Sequence, residues 1–464
     1  MMFELNRFGG GEFRAEAGRI LHLALPILIA QVAQVGVGVV DTVMAGHVSA
    51  DDLAAVALGS NVFITVYVTF LGVMSALQPI LAQLYGAGKT DAIGSTARQG
   101  VWFGLMLGVL GMVLLWLLAW PLQHYLNLGD YVERTFGDFV FWIALGMPAA
   151  MLHRALYAYA ASLNRPKPIM VVSLLALLLN IPLNYVFVYG KLGLPEMGGA
   201  GCGLASALCF WFNATVLGLY VMRHRFFAQF GLFSRFEWPQ WGAQKSIVKL
   251  GVPMGLSFFL EVSSFTFIGL LIARFGVTQV AAQQVVINIS SLLYMLPQSV
   301  GTALAVCVGQ QVGKGDWQRA RYVSGVGLSI GIAGAMITGL LLLLFRHFWV
   351  GLYTQDAAVI SMGAGLLLFA AVFQLSDAVQ TTASYSLRGY KLAKVPMLIH
   401  AFSFWGLGLG LGSLLGLYWG MEIYGFWLSL VVSLTGAAVA LVWYLNSQSR
   451  RFAAQQGKFN ERPA

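Results

Sequence analysis

Three acidic residues, Asp41, Glu261 and Asp377, lie within long apolar segments of the sequence. A carboxylate at the centre of a lipid bilayer costs about 2.5–3.5 kcal/mol on insertion scales, so such residues face a polar cavity or one another. We predict no Lys or Arg at a comparable depth that could neutralise them. We therefore expect these three carboxylates to bind a cation or a proton inside a membrane.

The chemistry expected of such a site is exchange between ions. Burial favours the neutral form of a carboxyl group, whereas a neighbouring cation favours the ionised form. A proton and a cation therefore compete for the same group, as antiport requires. Oxygen ligands also suit Na⁺, a hard cation, and the residue spacing does not separate Na⁺ from H⁺ coupling. Glu261 and Asp377 are the predicted ligands if Na⁺ is the coupling ion.

Polar and aromatic residues share the predicted helix faces with these acids, since positions three, four, seven and eight residues apart lie on one face of a helix. Asn180 and Asn184 are one turn apart, and their amides could bind a cation or hydrogen-bond neighbouring helices. The candidate cavity-lining residues are Gln34, Asn180, Asn184, Phe265, Gln284, Asn288, Tyr294, Phe373 and Ser384.

The composition requires a membrane. Of the 464 residues, 58% are hydrophobic and 10% are charged, which is too few polar groups to cover the apolar core of a soluble protein. Uncharged stretches of more than twenty residues can each cross about 30 Å of hydrocarbon as a helix. The predicted segments, numbered helices 1 to 12, are centred near residues 33, 65, 108, 142, 179, 211, 260, 293, 333, 371, 406 and 434.

The formal net charge of +9 follows from membrane orientation. All but four of the 27 Lys and Arg residues fall on one side of the predicted helices, and the exceptions are Arg134, Lys191, Arg274 and Arg346. Because positive residues concentrate in cytoplasmic loops, both chain termini are predicted to be cytoplasmic. The basic charge therefore requires no nucleic-acid partner.

The chain contains an internal repeat. At an offset of 227 positions, Pro26 aligns with Pro253 and Asn61 with Asn288, without a gap over nearly eighty residues. We predict two six-helix lobes, residues 1–222 and 247–464, joined by a cytoplasmic linker, residues 223–246. Parallel repeats place a binding site between the lobes near mid-membrane and work by rocking one lobe against the other.

An enzyme is not predicted. The sequence has no serine-hydrolase elbow, metalloprotease helix or Walker sequence. Cys202, Cys209 and Cys307 lie in apolar segments without CxxC spacing, so we interpret them as packing thiols. The glycine runs at residues 198–203 and 406–412 lie at or within predicted helices, where glycine permits close packing or bending. No cofactor is expected beyond the coupling ion.

Several motifs carry a family resemblance. They are ALPILIAQVAQVGVGVVDTVMAG (24–46), YGAGKTD (85–91), SLNRPKP (162–168), LNIPLNYVFVYG (179–190), GGAGCGLA (198–205) and SLRGYK (386–391). Together they resemble NorM-type members of the MATE (multidrug and toxic compound extrusion) family, and the resemblance covers essentially the whole chain.

The resemblance implies an all-α exporter of the bacterial inner membrane with two lobes in a V shape. It implies that lipophilic cationic drugs and dyes leave in exchange for Na⁺ or H⁺, which gives antibiotic resistance. Glu261 and Asp377 then carry cation coupling, and Asp41 forms a polar cluster with the helix 5 amides. Some relatives have a Na⁺-binding Tyr where this chain has Phe373, which cannot donate that oxygen.

Two matters stay open at this point. A lipid-linked precursor flippase is the alternative function, but a pyrophosphate-bearing lipid would demand buried Arg or Lys in the cavity. Whether Asp41 couples ions or only shapes the cavity is not determined by the sequence. We expect a monomer whose partners are membrane lipid and small cationic substrates.

Overall fold

The computed structural model describes residues 10–125 and 129–460. The outer ends of the two predicted lobes, residues 1–9 and 461–464, lie outside the described residues. Within the described ranges, twelve helices are long and apolar enough to span a membrane. Helices 1 to 12 are Gly10–Val48, Ala50–Gly86, Thr90–Gln123, Asp130–Ser162, Lys167–Val188, Gly199–Arg223, Trp241–Phe275, Val277–Gly313, Trp317–Leu344, Ala357–Gly389, Lys394–Tyr418 and Glu422–Gln455. Each predicted centre falls inside one of them, so the prediction of twelve spans is confirmed.

Some of these spans are not continuous α-helices. Helix 2 consists of Ala50–Met74 and Leu77–Gly86, and helix 4 consists of Asp130–Ala144 and Met147–Ser162. In helix 11 the α-helix Lys394–Ala401 continues as π-helix from Phe402 to Leu411. The glycine run at 406–412 begins inside this π-helical segment, where the wider turn replaces regular α-helical packing.

The chain forms two compact units. We call Pro26–Gly255 the first unit, and Met1–Leu25 together with Leu256–Ala464 the second unit. The boundaries lie inside helices 1 and 7, beside Pro26 and close to Pro253, the prolines related by the repeat. The linker, residues 223–246, therefore belongs to the first unit, as does the beginning of helix 7.

The same helix pairs pack within each unit. In the first unit helix 4 packs against helices 2, 3 and 6, and helix 5 packs against helix 6. In the second unit helix 10 packs against helices 8, 9 and 12, and helix 11 packs against helix 12. Adding six to each helix number of the first set gives the second, so the sequence repeat is also a repeat of packing.

Glycines of helix 3 allow its backbone to approach helix 4 closely. A Cβ atom on Gly104 would lie 2.8 Å from the carbonyl oxygen of Met151, and one on Gly108 would lie 2.4 Å from Cα of Pro148. These distances are shorter than a real Cβ contact, so any larger residue would force the two helices apart. Spacing by four residues puts both glycines on one face, as in other small-residue membrane helix contacts.

The linker is docked on the same helix by Ser95, Arg98, Gln99 and Trp102, which lie on one helix face. Nη2 of Arg98 donates to Oε1 of Glu237 at 2.5 Å, and Oγ of Ser95 donates to the other carboxylate oxygen at 2.9 Å. These hydrogen bonds, the one from Arg98 foremost, lower the pKa of the Glu237 carboxyl below its usual range.

Backbone groups of the linker complete this docking. Nε1 of Trp102 donates to the carbonyl of Glu237 at 2.9 Å, and Nε2 of Gln99 donates to the carbonyl of Trp238 at 3.0 Å. Oε1 of Gln99 accepts from the backbone N–H of Gln240 at 2.7 Å. A single face of helix 3 thus fixes the path of the chain just before helix 7 begins.

The Glu237 ion pair can be tested by proteolysis at Arg235. We expect Glu237→Gln to raise the rate of tryptic cleavage there about threefold at neutral pH, because a partly exposed ion pair contributes about 0.2–1 kcal/mol. Since the folded-state pKa is lowered, the stabilisation is present at neutral pH and is lost as the pH falls through that lowered value. Glu196→Gln, a neutralised exposed acid in another loop, is the control. Equal cleavage of both variants and the parent would contradict this role.

Candidate functional site

Asp41 of helix 1 lies in a buried hydrogen-bond cluster of the first unit. Its Oδ1 accepts from Nδ2 of Asn184 at 2.7 Å and from Nδ2 of Asn180 at 3.2 Å. Its Oδ2 accepts from Oγ of Ser206. Asp41 is 4% exposed and both asparagines are fully buried. The predicted cluster of Asp41 with the helix 5 amides is therefore present in the structure.

Helix spacing produces this convergence. Asn180 and Asn184 are one turn apart on helix 5, and Nδ2 of Asn184 also donates to Oδ1 of Asn180 at 2.9 Å. Cys202 and Ser206 are one turn apart on helix 6, and Sγ of Cys202 lies 3.4 Å from the backbone oxygen of Asp41. Helix 6 is the contribution that the sequence did not predict, since Ser206 is a small polar residue of a type common in membrane helices.

Three donors on one carboxylate favour its ionised form, because hydrogen bonds to a charged oxygen are stronger than those to a neutral one. Oδ1 of Asn184 is buried and has no hydrogen-bond partner. The cluster thus combines a carboxylate with an unpaired carbonyl oxygen, a donor set that fits a proton or a hard cation such as Na⁺.

Asp377 of helix 10 begins a hydrogen-bonded chain in the second unit. Its Oδ1 accepts from Nε2 of Gln380 at 3.0 Å, and Oε1 of Gln380 lies 2.9 Å from Nε2 of His400 on helix 11. Because the Gln380 oxygen must accept, Nε2 of His400 carries the proton in this arrangement. His400 therefore fixes the Gln380 amide with its N–H directed at Asp377. All three residues are buried.

Glu261 of helix 7 is half-buried and has no hydrogen-bond partner among the described residues. It lies close enough to Asp377 and to Arg388 for their charges to act on it. Two carboxylates that repel one another favour uptake of one positive charge, as a proton or as a cation. The predicted pairing of Glu261 and Asp377 in one region is consistent with this electrostatic contact.

The expectation that no basic residue lies near these acids is wrong for Glu261. Arg388, assigned to a loop from the sequence, lies in the last turn of helix 10 and is 6% exposed. Its guanidinium lies 4.0 Å from the ring centroid of Tyr385 and 5.0 Å from that of Phe258. Aromatic faces therefore stabilise a buried cation that also acts on Glu261.

Gln374 lies one helical turn before Asp377 and is 1% exposed, yet neither its Oε1 nor its Nε2 has a hydrogen-bond partner. A buried unpaired amide is costly and calls for a water, an ion or a ligand group. Its oxygen and the Asp377 carboxylate on the same helix face fit a Na⁺ ion. This donor set compensates for Phe373, which has no oxygen to offer.

The other predicted lining residues fall into two groups, of which the first lies in the second unit near Asp377. Phe373 is 6% exposed and packs in the core of that unit, with its ring centroid 6.2 Å from that of Phe265. Ser384 is also buried, and the half-buried Tyr294 interacts with the hydroxyl of Thr381 beside Gln380.

The second group is more exposed. Gln284 and Asn288 are exposed on helix 8, where they bond to each other at 3.3 Å. Gln34 is half-buried on helix 1, two turns before Asp41. The three cysteines are free and buried, in agreement with packing thiols.

A fourth buried carboxylate, Asp52, was assigned to a loop in the sequence analysis. The structure places it in the first turn of helix 2, fully buried, where its Oδ1 accepts from the backbone N–H of Gly199 at 2.6 Å. Oγ of Ser49 donates to its Oδ2 at 2.5 Å, and Tyr131 donates at 3.1 Å. Asp52 therefore connects the beginnings of helices 2, 4 and 6, which is a structural role.

Comparison with known proteins gives the same picture. The MatE family model matches the chain twice, over residues 26–186 and 253–414, and the two matches begin 227 positions apart. "Probable multidrug resistance protein NorM" of Neisseria meningitidis serogroup A is 56% identical over 450 residues, which cover 97% of this chain and 98% of that protein. "Multidrug resistance protein PmpM" of Pseudomonas aeruginosa is 39% identical, covering 98% of this chain and 96% of that protein.

Solved structures agree. The MATE transporter NorM-NG, determined in complex with a dye and a monobody, has a TM-score of 0.80 at 51% identity and covers 95% of this chain and 96% of that one. "Crystal structure of MATE in the bent conformation" reaches a TM-score of 0.88 at 16% identity over 96% of this chain and 98% of that one, which shows the shared fold.

Twelve apolar spans, a duplicated six-helix pattern and carboxylates buried inside the spans define a multi-pass membrane transporter rather than an enzyme. The chain belongs to the MatE family. The family resemblance found in the sequence motifs is therefore confirmed.

Proposed function

We propose that this protein exports lipophilic organic cations, drugs and dyes among them, in exchange for Na⁺ or H⁺ by alternating access. The observation that carries the proposal is the pair Glu261 and Asp377: two acids interact electrostatically in a buried region, and one of them lacks any hydrogen-bond donor. Such a site gains most from one added positive charge, so organic cation and coupling ion compete for it.

The relatives support the multidrug part of this proposal. Two of them carry multidrug resistance in their names at 56% and 39% identity over nearly the whole chain. The 51% identical NorM-NG structure is described in complex with a dye. Aromatic rings around the second-unit site, Phe265 and Phe373 among them, suit flat lipophilic cations.

The proposal includes a location. We place the protein in the inner membrane of a bacterium, as a monomer with both termini in the cytoplasm, because basic residues concentrate on one side of the spans. Its surroundings are membrane lipid, and it has no nucleic-acid partner.

Ethidium efflux from proteoliposomes tests the function directly. We expect purified protein to drive ethidium transport when either a Na⁺ gradient or a pH gradient is imposed with the membrane potential clamped. The gradient that sustains transport identifies the coupling ion. Protein-free liposomes under the same gradients are the control. Absence of ethidium transport under both gradients would refute cation antiport and favour a lipid substrate.

A further inference from the structure

An open apolar groove of about 340 Å³ lies in the first unit where helix 3 meets the beginning of helix 7. Its lining residues are Phe103, Met106, Leu107, Leu110, Pro239, Trp241 and Gln244. Met106, Leu110 and Trp241 are 44%, 58% and 74% exposed, so this groove faces away from the core. Such a surface on a membrane helix matches the acyl region of a lipid.

One polar group in the groove has no partner. Gln244 is 3% exposed, and its Nε2 makes no hydrogen bond. A buried donor without an acceptor is rare in native structures. An occupant of the groove must therefore combine apolar chains with an oxygen that accepts a hydrogen bond, as the ester and phosphate oxygens of a phospholipid do.

The surroundings of the groove are positively charged. Arg235, Lys245 and Lys249 are exposed on the linker and the first turns of helix 7. The one acid nearby in the linker, Glu237, is paired with Arg98 at 2.5 Å and does not offset them. Clustered basic residues next to a membrane span attract anionic headgroups. Charge complementarity thus selects an anionic phospholipid over a zwitterionic one.

The groove is preformed because its walls are fixed. Trp238 stacks on Trp102 with ring centroids 6.5 Å apart, and Gln99 holds the backbone of Gln240, the residue before Trp241. Helix 3 supplies both the docking residues and the apolar wall of the groove. A lipid binding here therefore loses little free energy to ordering of the protein.

We propose that this groove binds one anionic phospholipid from the leaflet that contains the basic linker. One acyl chain lies along the apolar side chains of helix 3. An ester or phosphate oxygen accepts from Nε2 of Gln244, and the headgroup charge lies near Lys245. This site is separate from the buried carboxylates and does not depend on which ion drives transport.

Native mass spectrometry of the purified protein tests the site. After delipidation, the protein is mixed with equal amounts of phosphatidylglycerol and phosphatidylcholine of the same chain length. We expect one phosphatidylglycerol to remain bound to the parent. The double variant Gln244→Leu, Lys245→Gln is expected to retain about tenfold less, because it loses a hydrogen bond to a charged oxygen and one positive charge. Lys191→Gln, a lost lysine in another loop, is the control.

A second measurement separates lipid binding from misfolding. In nanodiscs, replacing phosphatidylcholine by phosphatidylglycerol should raise the thermal unfolding temperature of the parent and of Lys191→Gln, but not that of the double variant. Equal retention of the two lipids by the parent would reduce the groove to ordinary lipid contact and overturn the proposal. So would undiminished phosphatidylglycerol binding by the double variant.

Discussion

Replacement of Asp377 by Asn is expected to reduce ion-driven ethidium efflux to the level of protein-free liposomes, a loss of at least about 100-fold. The change removes the negative charge that attracts the coupling ion while keeping an oxygen that can accept from Gln380. The structure of helix 10 is therefore retained, and the loss reports on charge. A 100-fold effect corresponds to about 2.7 kcal/mol, the scale of one charged hydrogen-bonding contact.

Glu261→Gln is the partner experiment. Glu261 has no hydrogen-bond donor to lose, so this variant should unfold at the temperature of the parent or slightly above it and should still lose net efflux. Asp138→Asn, which neutralises an acid on helix 4 outside the two clusters, controls for general loss of negative charge. Net efflux at the parental rate in either site variant would contradict coupling through these carboxylates.

The positions of the acids and the number of helices could be predicted because they rest on one large free energy. A charge in hydrocarbon is costly, so few charges occur in spans, and those few stand out. Asp41 and Asp377 were identified this way, and both are buried with hydrogen-bonded partners. The repeat was visible because Pro26 and Pro253 occupy the same position in two copies.

The partners of the acids were harder to predict, because they come from distant helices whose rotation the sequence does not give. Ser206 contacts Asp41 across 165 positions, and His400 reaches Gln380 from the next helix. A histidine within a long apolar segment was the available signal for His400. Gln374 was visible on the polar face around Asp377, but only the structure shows that its amide is unpaired.

Arg388 and Asp52 were missed for a different reason. Both are at helix ends, where a shift of a few residues in the assigned boundary separates a loop charge from a buried one. Arg388 is stabilised by aromatic rings and Asp52 by a backbone N–H, so neither requires an oppositely charged side chain that the sequence could have revealed.

Asp41→Asn gives the second large expected effect and answers whether Asp41 takes part in coupling. The three donors from Asn180, Asn184 and Ser206 converge on a carboxylate, and an amide would direct its own N–H₂ at one of them. We expect net ethidium efflux to fall about 10- to 100-fold, with a loss of about 1–3 kcal/mol in the free energy of unfolding from the unsatisfied donors. Efflux and thermal unfolding, measured on the same preparation, check both parts.

Asp52→Asn is the matched control for Asp41→Asn, since Asp52 is equally buried and also accepts three hydrogen bonds, but connects helix ends. It should lower the unfolding temperature while each folded molecule still transports ethidium at nearly the parental rate. Ser206→Ala removes one donor and leaves the Asp41 charge, so it should retain most of the efflux that Asp41→Asn loses. If Asp41→Asn behaves like Asp52→Asn, unstable but fully active per folded molecule, then Asp41 only shapes the first unit, and coupling belongs to Glu261 and Asp377 alone.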